Sequence, residues 1–295
     1  MTDHARTEPT ASASPPDHQV VIVGGGPTGL MLGAELVLGG ADVVIVERRS
    51  SQQLDGSRAG GLHARSLEVL EQRGVADRFV DAGQTYPSVG FAQLRLDMSD
   101  LPSRHNHLLG LWQKELEQIL AAWVLDELGV PIVRSREAVA VAQDADGVDV
   151  ELSDGTTLRA EYVVGCDGGR STVRRGAGID FPGLDASTTW LLAELDMDEP
   201  PQLGMRPEGG GIGPADPQAP DGPYRVVFPE QTPQRDPSPS TDELRDLLVR
   251  TYGTDFGMHE PTWLTRFGDA SRQAAAYRAG RILLAGDAAH IHPPQ

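Results

Sequence analysis

A glycine-rich turn followed by an acidic residue is the first feature of the sequence that points to chemistry. The turn runs Gly24, Gly25, Gly26, Pro27, Thr28 and Gly29. Its glycines at positions 24, 26 and 29 have the spacing Gly-x-Gly-x-x-Gly. This spacing allows a tight turn, a close approach of the backbone to a pyrophosphate at Gly26, and close helix–strand packing at Gly29. Downstream, Glu47 stands where an acid can accept a hydrogen bond from a ribose hydroxyl. An acid here favours FAD or NAD over NADP, although the adjacent Arg48 weakens that distinction.

The elements around this turn must hold it in place. Residues 20–23 form a short apolar run, residues 30–38 are typical of a helix ended by two glycines, and residues 43–46 form a second apolar run. Strand, glycine turn, helix and strand in this order predict a βαβ unit with a right-handed crossover. The alternative is a glycine-rich turn that binds no ligand.

Two more polar turns each follow a predicted buried strand. Asp167 and Arg170 come after residues 162–165, and Asp287 comes after the strand that ends at Gly286. Taken alone, the first is equally consistent with a simple Asp-Gly turn. Asp287 is likewise equally consistent with a plain helix cap.

Further elements follow from periodicity and turn residues. Helices are predicted over residues 63–73, 113–128 and 240–252, the last with Ser240 and Glu243 spaced as a capping box. Residues 138–142, 148–152 and 156–160 predict a small antiparallel meander. Residues 200–239 are so rich in proline and glycine that we expect a loop there with at most one strand, over residues 224–228.

The order of these elements predicts an α/β protein: a Rossmann-like domain with an inserted antiparallel-sheet domain. The dinucleotide-binding domain is predicted over residues 18–86, 113–180 and 272–295. Residues 87–112 and 181–271 do not fit the βα pattern, and we expect them to form the substrate domain. Residues 1–17 are predicted to be a disordered leader.

Composition excludes several functional classes. The chain has 295 residues with 25 basic and 43 acidic side chains, a net charge of −18, which makes nucleic acid and anionic membranes poor partners. No apolar stretch is long enough to span a membrane. The single cysteine, Cys166, cannot form an internal disulfide, which suits a reducing, cytoplasmic compartment. His290 and His292 stand two residues apart, but no Asp, Glu or Cys cluster accompanies them, so no metal site is predicted.

The three turns together resemble those of the single-component FAD-dependent aromatic hydroxylases with the p-hydroxybenzoate hydroxylase fold. Two segments are similar to those of the branch of this family that acts on polyketides, tetracyclines and rifamycins. They are Ser57-Arg58-Ala59-Gly60-Gly61 and Gly286-Asp287-Ala288-Ala289-His290. The resemblance covers residues 18–295. It departs from the family after Pro294, where family members continue with a Gly-Gly-Gln-Gly-Leu-Asn helix start, so we expect either a fragment of a longer protein or a truncated product.

The resemblance implies a role for each matching residue. The glycine turn would bind the FAD pyrophosphate and Glu47 the adenosine ribose, while Arg58 would lie beside the pyrophosphate. The resemblance also implies FAD contacts for five other residues: Gln113, Asp167, Arg170, Asp287 and Pro293. Of these, Asp167 and Arg170 belong to a motif implicated in binding both FAD and NADPH.

The implied reaction uses NADPH and O₂ to hydroxylate an aromatic substrate through a hydroperoxide on the flavin. Because the cofactor performs this chemistry, no catalytic side chain is assigned. Baeyer–Villiger oxidation, another flavin-dependent oxidation on the same fold, and a FAD-binding fragment without turnover stay open as alternatives. A halogenase and a reductase with two dinucleotide folds are disfavoured, since the Trp-x-Trp-x-Ile-Pro word and a second strand-anchored glycine turn are absent from the sequence.

Overall fold

The computed structural model describes residues 15–57, 59–91, 94–206, 210–216, 219, 221–230, 232–234 and 238–293. Residues 1–14 of the predicted leader lie outside this described part. The chain divides into two compact units. The first comprises the described residues of Met1–Ser51, Leu120–Asp180 and Ala274–Ala289. The second comprises those of Gln52–Ile119, Phe181–Gln273 and His290–Gln295.

Helices and strands are numbered along the chain. The α-helices are α1 (Pro27–Leu38), α2 (Ala64–Gln72), α3 (Ala76–Ala82), α4 (Gln113–Ala122), α5 (Thr172–Gly176) and α6 (Thr241–Tyr252). The strands are β1 (His18–Val23), β2 (Val43–Glu47), β3 (Gly61–Leu62), β4 (Gln84–Tyr86), β5 (Ser88–Phe91), β6 (Leu94–Asp97), β7 (Leu108–Gly110), β8 (Ile132–Arg134), β9 (Ala138–Gln143), β10 (Val148–Leu152), β11 (Thr157–Gly165), β12 (Gly183–Leu184), β13 (Thr189–Leu195), β14 (Gly204–Met205), β15 (Gly211–Pro214), β16 (Tyr224–Pro229), β17 (Trp263–Gly268), β18 (Ser271–Gln273), β19 (Arg278–Ala279), β20 (Ile282–Leu284) and β21 (His290–Ile291).

The first unit is built on a sheet whose central strands are parallel. Its order is β19-β20-β11-β1-β2-β8, and β10 and β9 extend it from β11. Val21 lies at the centre, opposite Val44 on one side and Val163 on the other, and is fully buried. Because strands covered on both faces read as continuous apolar runs, the sequence predicted β1, β2, β20 and the second half of β11. It did not predict the parallel strand β8, which pairs with β2. The predicted α/β fold with a Rossmann-like parallel sheet is confirmed.

One long strand replaces two predicted ones. The segments expected over residues 156–160 and 162–165 form the single strand β11, since no turn residue separates Ala160 from Tyr162. Its first half pairs antiparallel with β10, and its second half pairs parallel with β1. The predicted antiparallel meander forms, and its third strand continues into the main sheet.

The predicted helix over residues 113–128 changes its hydrogen-bond spacing along its length. It is α-helical as far as Ala122 and continues as a π-helical turn over Trp123–Glu127. Trp123 and Val124 are buried as the periodicity required. Periodicity describes which face is apolar, whereas the change of hydrogen-bond spacing leaves no mark on that pattern.

The second unit contains a five-stranded antiparallel sheet of order β14-β15-β16-β13-β17. One face packs with α6 around a core that includes Leu191, Val226, Phe228 and Leu244. Helix α6 begins at Ser240 with the predicted capping box, in which the Ser240 and Glu243 side chains each accept from the other's amide. The expectation of one strand within residues 200–239 was wrong. Strands β14 and β15 also form there, because they gain hydrogen-bonding partners across the sheet despite the prolines and glycines.

The opposite face of this sheet carries a different set of side chains. Arg225 on β16 lies opposite Glu194 on β13, and Glu194 lies opposite Trp263 on β17. Along the same face, Trp190 and Phe267 form a stacked cross-strand pair with ring centroids 5.5 Å apart. The second unit also contains the small sheets β3-β7-β4, β5-β6 and β12-β18-β21.

Candidate functional site

The glycine turn after β1 depends on glycine at both of its ends. Gly24 has a φ of +110°, and a Cβ built on it would lie 2.3 Å from the carbonyl oxygen of Cys166. A Cβ on Gly29 would lie 1.9 Å from the carbonyl oxygen of Gly24. These two glycines are therefore required by the fold itself, whether or not a ligand is bound.

Gly26 stands in open space instead. A Cβ built on it would meet no protein atom within 4 Å, so the packing of the protein does not explain a glycine here. Gly26 is the N-cap of α1, Pro27 follows it, and within described residues 15–57 no side chain caps this helix end. An uncapped helix N-terminus beside open backbone suits the negative charge of a phosphate.

Glu47 at the end of β2 is buried and joined to the glycine turn. Its Oε2 accepts a 2.7 Å hydrogen bond from the amide of Gly25, and its Oε1 accepts a 2.8 Å bond from the amide of Arg49. Burial raises the pKa of Glu47, but the hydrogen bonds from Arg49 and Gly25 and the charge of Arg49 outweigh it and hold the pKa below its ordinary value. Glu47 is thus a carboxylate that fixes the turn.

Sequence reasoning missed Arg49. Its guanidinium donates to Glu47 Oε1 at 3.2 Å and to the Gly25 carbonyl at 3.2 Å, whereas Arg48, the residue singled out from the sequence, is exposed. Because β2 ends at Glu47 and the chain bends over the next three residues, strand alternation in the sequence does not distinguish Arg49 from Arg48.

In the Asp-Gly turn after β11, the two carboxylate oxygens of Asp167 have different surroundings. Asp167 Oδ2 accepts hydrogen bonds from the amides of Thr172 at 2.7 Å and Val173 at 3.2 Å, which caps the start of α5. Asp167 Oδ1 is buried and has no hydrogen-bond partner among the described residues. A buried carboxylate oxygen without a donor is costly, so this atom marks a place where a ligand hydroxyl or amide would fit.

Arg174 joins this turn to the end of the last strand. Its buried guanidinium donates to the carbonyl of Gly169 at 2.8 Å and to the carbonyl of Ala288 at 2.9 Å. Burial lowers the pKa of Arg174 from its ordinary value, and the charge of Asp167 only partly offsets this. Arg170, the arginine selected from the sequence, is exposed.

The third turn follows β20 and contacts the first. Gly286 has a φ of +61°, and a Cβ built on it would lie 2.7 Å from the Thr28 hydroxyl oxygen. Asp287 lies in the 3-10 turn Gly286–Ala288 and is exposed. Because Gly24 touches Cys166 and Gly286 touches Thr28, the three predicted turns come together at the carboxyl ends of parallel strands, where open α/β sheets bind their ligands.

The other residues predicted to contact the cofactor do not belong to these three turns. Gln113 and Pro293 belong to the second unit. Gln113 begins α4 and donates to Glu117 at 2.7 Å. The Pro293 carbonyl accepts a 2.7 Å hydrogen bond from the His292 ring. Arg58 lies outside the described residues.

Three of the histidines in the described part of the chain contact other side chains of the second unit. His105 is buried and pairs with Glu71 at 3.1 Å, while His290 and His292 stack with ring centroids 6.0 Å apart. Across the described part of the chain, no group of three potential metal-binding side chains occurs. None of the helices in that part is both long and apolar enough to cross a membrane.

Comparison with known proteins gives the same assignment as the geometry. The family model described as FAD binding domain matches residues 17–295. The chain is 46% identical over 294 residues to a rifampicin monooxygenase of Streptomyces venezuelae, covering 93% of this chain and 59% of that protein. It is 37% identical over 278 residues to a dialkyldecalin synthase of Streptomyces rugosporus, covering 92% of this chain and 59% of that protein.

Among solved structures, the anhydrotetracycline hydroxylase OxyS from Streptomyces rimosus superimposes with a TM-score of 0.83 at 39% identity. That alignment covers 93% of this chain and 57% of the hydroxylase. The chain thus spans somewhat less than two thirds of the length of these relatives. The open backbone at Gly26 and the unpartnered Asp167 Oδ1 fit the phosphate and hydroxyl groups of FAD, the cofactor predicted from the sequence. The chain belongs to the family of FAD binding domains.

Proposed function

We propose that this chain is the FAD-binding part of a monooxygenase that uses NADPH and O₂ to hydroxylate a phenolic or polyketide-type aromatic substrate. The observation that carries this proposal is the meeting of three strand-end turns around Gly26, whose missing side chain faces open space. When bound, FAD would supply the redox chemistry, and the chain supplies binding, orientation and electrostatics.

Each turn has a proposed share in cofactor binding. The backbone of Gly24–Gly29 and the amides at the start of α1 would hold the pyrophosphate, with Glu47 and Arg48 near the adenosine ribose. Asp167 would accept from the cofactor through its free Oδ1, and Arg170 and Asp287 would lie at the same edge. The proposed FAD contacts of Arg58, Gln113 and Pro293 are supported by the resemblance alone.

Glu47 needs a rearrangement before it can bind a ribose. Its two oxygens already accept from the amides of Gly25 and Arg49 and from the Arg49 guanidinium. A carboxylate accepts about four hydrogen bonds, so a ribose hydroxyl would have to displace a guanidinium contact. The backbone amides are shorter contacts and would stay, so we propose that the Arg49 side chain is the group that moves.

We propose that the second unit recognises the substrate, with residues 87–112 and 181–271 as the predicted substrate domain. The sheet face that carries Trp190 and Phe267 offers stacked rings, which suit a planar aromatic molecule. Use of NADPH and the lone Cys166 favour a cytoplasmic setting.

Similarity to a protein named dialkyldecalin synthase supports a second candidate, in which the protein rearranges its substrate by closing rings and adds no oxygen. Insertion of oxygen beside a ketone is the other oxidative outcome on this fold. The rearrangement leaves the product mass unchanged and consumes neither NADPH nor O₂. Hydroxylation and insertion beside a ketone each consume both and add one oxygen, so the position of the new oxygen in the product distinguishes them.

The test is an assay of the purified protein with FAD. NADPH oxidation, uptake of labelled O₂ and product mass would be followed across ansamycins, tetracyclic polyketides and simple phenols. We expect substrate-stimulated NADPH oxidation and one labelled oxygen in place of a ring hydrogen. An isomer of unchanged mass without NADPH use would support the rearrangement. Absence of FAD binding by the native protein would overturn the proposal.

A further inference from the structure

The segment between the first βαβ unit and β3 lies on two tryptophan rings of the second unit. A Cβ on Gly56 would lie 2.1 Å from the ring of Trp263, and a Cβ on Gly60 would lie 2.6 Å from the ring of Trp112. Glycine at both positions lets the backbone approach the indoles this closely. The described residues Gly56, Ser57, Ala59 and Gly60 are called the glycine strap below.

One arginine connects the strap to the five-stranded sheet. The side chain of Arg225 is only 13% exposed and donates to Glu194 Oε1 at 2.6 Å and to the carbonyl oxygen of Ser57. Its guanidinium carbon also lies 4.5 Å from the centroid of the Trp112 ring and 5.6 Å from that of Trp263. The planar fork of an arginine can donate to two acceptors in fixed directions while it lies against a ring, and a lysine lacks this planar fork.

The strap in turn accepts hydrogen bonds from the start of α4. The amide of Lys114 donates to the Ser57 hydroxyl at 3.0 Å, and the amide of Gln113 donates to the Ala59 carbonyl at 3.0 Å. The amide of Leu111 donates to the Gly60 carbonyl at 3.2 Å. The strap is therefore held between Arg225 on one side and the first turn of α4 on the other.

We infer that Arg225 is a positioning residue, which fixes the glycine strap and through it the orientation of Gln113 at the start of α4. Glu194 accepts from one terminal nitrogen of the guanidinium, the Ser57 carbonyl accepts from the other, and the Trp112 and Trp263 rings lie beside the guanidinium carbon. The consequence for the cofactor rests on the proposed role of Gln113 in FAD binding. The inference that Arg225 fixes the glycine strap does not depend on that proposed role.

Three variants of the full chain separate these effects. Arg225→Lys keeps the charge beside Glu194 but loses the fork. The double variant Arg225→Leu with Glu194→Leu removes both charges, so no unpaired buried charge is left to unfold the sheet. Arg206→Leu is the matched control, because Arg206 stacks on Tyr252 at 4.1 Å in the same unit.

The first measurement is amide hydrogen exchange at Leu111, Gln113 and Lys114 in the FAD-free protein. We expect exchange at these amides to become at least about tenfold faster in both Arg225 variants, with exchange in β1 and in Arg206→Leu unchanged. Exchange at native rates in both Arg225 variants would overturn the inference. A uniform acceleration that includes β1 would also overturn it, because it would show global destabilisation.

The second measurement is the FAD dissociation constant, from quenching of flavin fluorescence. We expect it to rise at least about tenfold in Arg225→Lys and to stay native in Arg206→Leu. Native FAD affinity in both Arg225 variants would overturn the link to the cofactor. If the native protein binds no FAD, the proposed function fails, whereas the exchange measurement still decides whether Arg225 holds the strap.

Discussion

The amide of Gly25 donates a 2.7 Å hydrogen bond to Oε2 of Glu47, so the glycine turn and the acid at the end of β2 form one buried unit. A Cβ on Gly25 would lie 3.0 Å from that same oxygen, which leaves little room for a side chain. The acid therefore shapes the turn before any ligand arrives, and the part in cofactor binding that we propose for it begins with holding the backbone that surrounds Gly26.

Gly26 and Gly29 should respond to the same substitution in different ways. Gly26→Val meets open space, so we expect a melting temperature within about 2 °C of native but FAD affinity lowered at least about 100-fold. Gly29→Val forces atoms against the Gly24 carbonyl and should cost about 3 kcal/mol of unfolding free energy or more. Thermal unfolding and flavin titration measure the two effects. Native FAD affinity in Gly26→Val would rule out this turn as the pyrophosphate site.

Glu47→Gln should destabilise the protein in a pH-dependent way. Loss of the charged hydrogen bonds to Arg49 and Gly25 should cost about 1–3 kcal/mol at pH 7. Because the folded state lowers the pKa of Glu47, its stabilisation is complete above its ordinary value of 4.5 and is lost as pH falls through the lowered value. Urea unfolding of both proteins between pH 7 and 3 should show the difference shrinking. A difference that grows towards acid would contradict this assignment.

Asp167→Asn should separate binding from stability. The amide oxygen can still cap α5, while the change removes the charge from the buried Oδ1 that has no donor among the described residues. We expect unfolding free energy of the FAD-free protein equal to or above native, with weaker FAD binding. Asp167→Ala is the comparison, and it should cost about 1 kcal/mol through loss of the cap. Unchanged FAD affinity in Asp167→Asn would show that Oδ1 takes no part in binding.

Cys166 should be chemically inert in the folded protein. Burial, followed by the charge of Asp167, raises the pKa of its thiol to about 12. At pH 8 a thiolate fraction of about 10⁻⁴ follows, far below that of a free cysteine. We expect no iodoacetamide adduct in an hour under native conditions and one adduct per chain in denaturant, as counted by mass spectrometry. Rapid labelling of the native protein would contradict a buried thiol.

Local patterns were enough to predict β1, β2, β20, the parallel half of β11, helix α1 and the capping box of α6. They failed where a partner distant in sequence decides the structure. Strand β15 lies among prolines and glycines, and it exists because Gly211 and Ile212 pair with Val227 and Val226. Arg174 was also missed, since only the fold brings its guanidinium to the carbonyl of Ala288.

The first unit is assembled from three separate stretches of chain, and this has a consequence for synthesis. Strand β20 pairs with β11 through Val163 and Ile282, so the parallel sheet lacks a strand until residues 274–289 have left the ribosome. Residues 181–273 emerge before then, and at about 5–20 residues per second this delay lasts on the order of 5–20 s. During that interval one edge of β11 is unpaired and apolar, a state that invites chaperone binding or aggregation. Completion of the parallel sheet therefore has to wait for the synthesis of residues 181–273, which belong to the other unit.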